Sequence, residues 1–197
     1  MGFRISYVTA PVAPEDLAAA LSLPLAGDSA DMPGRGPWIA QIRATGWSVL
    51  WADDLRFVAL HRPALLTLSE SAEVITCEID ETTMWCAAEC LSGGASLWRV
   101  AHAGDGGNVH DLTVDGTPPD SLARHRSARE AQQAAEDPSD PMMVDFIFEI
   151  PQDLAAERSG FRHDEGLEAD QVGRFHRIAS ADPSRRKGWF AGLFGRS

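Results

Sequence analysis

The sequence predicts an α+β protein in which a mainly antiparallel sheet, centred on a four-strand meander, carries packed helices. Three observations predict it. The chain opens on strict alternation, with Phe3, Ile5 and Tyr7 on one side and Arg4 and Ser6 on the other. Residues 73–116 hold four strand-like runs, "EVITCEID", "TTMWCAAECLS", "SLWRVAHA" and "NVHDLTVDG". Only short turn signals divide these runs (Asp80-Glu81, Ser92-Gly93-Gly94 and the glycines of 104–107), so consecutive antiparallel pairing is the economical topology.

The other elements follow in order. After the first strand, Pro14-Glu15-Asp16 places a proline in a first helical turn and acids near its positive end, ahead of "LAAALSL". Residues 26–37 are polar and turn-rich, which predicts a loop. "WIAQIRA" and "GWSVLWA" read as strands, with Trp38, Trp47 and Trp51 available for a core or a cleft wall. A short helix is expected near 63–70, opened by Pro63. Beyond the four strands, "PPDSLARHRSAREAQQAAE" is polar and helical, "MMVDFIFEI" reads as a strand, and "PQDLAAERSG" as a helix ending at Gly160 with Phe161 against its cap. A single domain is therefore expected over 1–163, followed by an acidic, polar linker at 164–183 and a basic aromatic tail at 184–197.

Charge narrows the function classes. A formal charge of −12 argues against a nucleic-acid role, because phosphate binding rests on Lys and Arg that release counterions. An acidic body suits a basic protein partner. No run of about 18 apolar residues is present to span a membrane, and "MGFRISYVTA" lacks an apolar signal core, so export by that route is not indicated. Three cysteines are an odd set that fits a reducing cytoplasm better than a disulfide framework. "MGFRIS" formally fits an N-myristoylation pattern, but the same residues make a good first strand.

Cys86 and Cys90 suggest half of a zinc signature, and no second ligand pair is evident. Strand parity offers a simpler account. Met84, Cys86, Ala88 and Cys90 share one face and Trp85 and Glu89 the other, and a loop at 80–83 would set Cys77 opposite Cys86. Free cysteine on an apolar face packs as a small hydrophobe. Whether Trp85 and Glu89 form the wall of a site or meet a covering helix is left open.

A hairpin closed by Ala103 and Val109 would face His102 with His110, with Asp111 near, and two imidazoles with a carboxylate suit a divalent metal. The competing expectation is a pair of solvated histidines with no cofactor. Arg162, His163 and Asp164 lie just past a helix end and could line a polar binding site or begin a solvated linker. In the tail, Arg185, Arg186 and Lys187 precede Trp189, Phe190, Leu193 and Phe194 on one helical arc. That pattern suits an anionic membrane surface, a partner's groove or the chain's own acidic body.

The stretches "MGFRIS", "GWSVLWAD", "SLWRVAH" and "DFIFEIPQDLAAERSGFRHDEG" resemble a set of uncharacterised bacterial proteins over most of 1–165. The resemblance implies a bacterial cytosolic α+β protein and transfers no catalytic residue. The leading functional expectation is a non-enzymatic binding or accessory protein, such as an immunity-like inhibitor acting through its acidic surface. The alternatives are a small metal-assisted hydrolase using His102 and His110, and a membrane-peripheral protein tethered by 185–196.

Overall fold

A computed structural model describes residues 2–104, 108–136, 144–165 and 171–179. Its strands are β1 (Arg4–Ala10), β2 (Leu25–Ala30), β3 (Trp38–Gln41), β4 (Ser48–Ala52), β5 (Val74–Asp80), β6 (Trp85–Ser92), β7 (Ala95–Ala103), β8 (Thr113–Gly116) and β9 (Phe175–Ile178). Its helices are α1 (Pro14–Ala20), α2 (Phe57–Ser69), α3 (Ser121–Gln133) and α4 (Glu149–Ser159). The strands make one 9-stranded sheet in the order β2-β9-β3-β4-β1-β5-β6-β7-β8, and every pairing is antiparallel. The architecture is α+β and dominated by the sheet.

The opening alternation becomes β1, which lies in the middle of the sheet in place of the 73–116 block. Both its faces are buried. Val8 and Ala10 pack with Leu17 of α1 and Phe57, Val58 and Leu65 of α2. Ile5 and Tyr7 face the other way, into a core shared with Cys77, Cys86, Cys90, Trp98 and α4 residues Ile150, Leu154 and Ala155. Helix α3 packs on α4.

Several boundaries depart from expectation. The segment 26–37 is not all loop, because Leu25–Ala30 pairs with β9. Helix α2 begins at Phe57 with Pro63 inside it, rather than at Pro63. Asp54 starts that helix by accepting the Arg56 N–H at 2.9 Å, and Phe57 and Leu65 are buried against the sheet, so packing outweighs the bond that proline removes. The described part of "MMVDFIFEI" is no strand: Val144–Phe148 turns into α4, with Ile147, Ile150 and Leu154 buried at helical spacing. Gly160 caps α4 at φ 75°, and Phe161 is buried edge-on against Tyr7 of β1. The expected linker contains β9, whose Phe175 and Ile178 are buried between β2 and β3, so the folded unit extends beyond residue 163.

Two hairpin registers are shifted by two residues. Cys77 pairs with Ala88 and Ile79 with Cys86, because the turn runs on through Met84 at φ 49°. Ala101 pairs with Thr113, which moves His110 away from His102. A shift of two preserves the face of every side chain, so the cysteines keep their apolar surroundings.

Candidate functional site

An apolar cleft of about 360 Å³ is lined by Glu73, Cys90, Leu97, Trp98, Thr117, Pro119, Ser121, Leu154, Glu157 and Arg158. Sheet, α4 and the start of α3 supply its walls. A register shift builds its lip: Cys90 pairs with Trp98 but Leu91 pairs with Ser96, leaving Leu97 as an extra residue on β7. Such a bulge re-aims side chains, and here the neighbours Leu97 and Trp98 both line the cleft. Gly116 permits the crossing of β8 over this point. It has φ 75°, and a Cβ there would lie 2.3 Å from the Leu97 carbonyl oxygen. At the rim, Arg158 holds Glu73 through two nitrogens, while Glu157 accepts from Arg124 at 3.0 Å and His125 at 2.6 Å.

The chain matches no protein-family model, no curated protein and no solved structure. Function must therefore be argued from the residues themselves.

His102 and His110 do not converge. His102 is fully buried on β7, whereas His110 is exposed and its backbone N–H bonds Asn108. The His102 ring lies between the Asp111 carbonyl oxygen, facing Nδ1, and the Asp145 carboxylate, 2.9 Å from Nε2. Asp111 thus contributes its backbone. The other oxygen of Asp145 accepts the N–H groups of Ile147 at 3.1 Å and Phe148 at 3.2 Å, so the pair ties β7 to the entry of α4. Gly104 closes over it, leaving a Cβ only 2.7 Å from the Asp145 oxygen. Burial alone would lower the imidazole pKa, but the bonds to Asp145 and Asp111 outweigh it and raise the pKa. Among the described residues no three His, Cys, Asp or Glu side chains gather to hold a metal.

Glu89 meets a covering helix. Trp85 is half-buried, and Glu89 accepts two bonds from Arg62 of α2, at 2.7 and 2.8 Å. Desolvation would raise the Glu89 pKa, yet Arg62 and Ser96 hold it below the ordinary carboxylate value. On the same face, burial pushes Glu78 up.

Arg162, His163 and Asp164 divide between two environments. Arg162 is mostly buried and bonds Glu149, Asp153 and Asp164, with Asp153 shared by Arg129 of α3. This knot fastens α3, α4 and the segment after them. Desolvation opposes the charge on Asp164, but Arg162 holds its pKa low. His163 turns into the core edge-on to Phe3, with Nε2 3.4 Å from Glu81 and no hydrogen bond at Nδ1. The tail residues Arg185, Arg186, Lys187, Trp189, Phe190, Leu193 and Phe194 lie outside the described residues.

The sequence reading missed the cleft. Cys90 and Trp98 were visible as strand residues, but the extra residue at Leu97 follows no turn or glycine signal of its own.

Proposed function

We propose that the protein is a non-enzymatic binding or accessory protein, an immunity-like inhibitor that offers an acidic surface to a basic protein partner. One observation carries the reading: arginines are engaged by carboxylates of the same chain. Arg4, Arg62, Arg124, Arg126, Arg129, Arg158 and Arg162 all bind the chain's own carboxylates. Glu15, Asp16, Asp53, Glu70, Asp115 and Asp120 are exposed to solvent. The surplus charge is therefore presented outward, where it would steer a basic surface and repel wrong partners. Three free, buried thiols and the resemblance to bacterial cytosolic proteins favour a reducing cytoplasm as its place of action.

The test is affinity capture from native bacterial lysate on the full chain and on the chain without residues 184–197. The expected result is one basic protein recovered on both baits and released by about 0.5 M salt, since exposed charge pairs are screened there. Recovery of no specific protein on either bait would overturn the reading. Capture dependent on the tail and abolished by anionic vesicles would replace it with a membrane-peripheral role.

A further inference from the structure

We propose that the cleft between α4, the start of α3 and the bulged part of β7 binds a small, neutral, planar molecule carrying a hydrogen-bond donor. The proposal is independent of the acidic-surface reading.

The cleft has a volume of about 360 Å³ and runs from exposed Leu97 and Thr117 down to buried Cys90, Trp98 and Leu154. The volume falls within the range of small-molecule sites. Two backbone features maintain it: the extra residue at Leu97 and the left-handed Gly116 opposite. The Thr117 N–H donates to the Leu97 carbonyl at 2.9 Å and fixes the lip. Together they bring Leu97 and the Trp98 indole to line the same cleft, apolar groups against which an aromatic ring packs.

The rim then selects charge. A ligand carboxylate would have to take Arg158 from Glu73, which already engages two of its nitrogens. A ligand cation would compete for Glu157 with Arg124 and His125. Both signs are already paired within the protein, so a charged ligand would have to displace an existing ion pair there. Hydroxyl oxygens remain among the lining groups, those of Thr117 and Ser121. They suit an aromatic N–H or O–H. At the floor, burial first and then Glu73 push the Cys90 thiol up to about 12, so it stands as a neutral contact and the binding is non-covalent.

Indole is the probe, titrated into the uniformly ¹⁵N-labelled full chain. It should move the amide resonances of Leu97, Trp98, Thr117 and Leu154 and saturate with a dissociation constant below about 1 mM. Benzoate and benzylamine should bind at least about tenfold more weakly. Thr117→Trp, which fills the mouth from an exposed position, should weaken indole at least about tenfold, and Leu97→Arg should do so independently. No saturable shift at these residues in the wild-type chain overturns the proposal. Benzoate binding as tightly as indole overturns the neutral selection. A capped Gly-Trp-Gly peptide binding more tightly than indole overturns the free small molecule and assigns the cleft to a partner's side chain.

Discussion

Both ring nitrogens of His102 face oxygen acceptors, one a carbonyl and one a carboxylate, so both must carry protons for both bonds to form. The buried pair is then an imidazolium with an aspartate, consistent with the raised pKa. Because the folded pKa lies above the unfolded one, this stabilisation is full below about pH 6.5 and is lost as pH rises through the folded value. His102→Phe should cost about 3 kcal/mol at pH 6, since it strands a buried carboxylate, and distinctly less at pH 9. Urea unfolding of both proteins at the two pH values measures the difference; an equal cost at both would show that the ring is neutral. The thiols give a second expectation at this scale. Cys86 is pushed well up by burial and Cys90 to about 12, so native protein at pH 8 should not react with a thiol reagent within minutes. All three cysteines should react after denaturation in guanidinium. The faces of these residues were legible in the sequence, since parity alone put Cys77, Cys86 and Cys90 inward. Their partners were not: Asp145 is far from His102 in sequence, and nothing local to either residue announces the contact.

Among the elements, α2 is fastened to the sheet by polar bonds as well as by its apolar side. Arg62 reaches Glu89 of β6 across the interface, and Glu89 is only 6% exposed. Arg62→Ala should destabilise the chain by about 2 kcal/mol, below the cost of breaking a fully buried pair because Arg62 itself is 41% exposed. The double variant Arg62→Ala, Glu89→Gln should recover part of that loss in chemical denaturation, as removing the charge relieves its burial. Glu89 titrates with the opposite sign to His102. Its folded pKa is depressed, so its contribution holds above the unfolded value and fades as pH falls through the folded one. Element types in the first half were legible because period and turn chemistry agreed. "MMVDFIFEI" misled because alternation over five residues also places Ile147 on a helix face, and Asp145, which accepts the Ile147 and Phe148 N–H groups in the turn before α4, decides between the two. Hairpin registers slipped by two because the glycine and acid signals mark where a turn lies but do not fix its length.

For the whole molecule, the decisive segment is the one that looked like a linker. Val172, Phe175 and Ile178 are buried, and β9 bonds both β2 and β3. A chain ending at residue 163 should lose its cooperative thermal unfolding, because three buried apolar side chains at about 1.5–3 kcal/mol each rival the whole stability of a domain. A chain ending at residue 179 should retain the parent's melting temperature within a few degrees. Circular dichroism on the two truncations tests this, and a cooperative melt of the 1–163 chain at the parent temperature would refute it. The sequence hid β9 because its four residues alternate poorly and sit among acids, and its value comes only from the two strands it separates. Those strands belong to the first part of the chain, while β9 is made long after them. During synthesis β2 therefore waits without a partner and β3 with one open edge, and the sheet closes by inserting a late strand between two early ones. Long-range pairing of that kind slows folding and leaves strand edges exposed in the meantime, which makes the β2–β3 end the place where a nascent or heated chain is most open to aggregation.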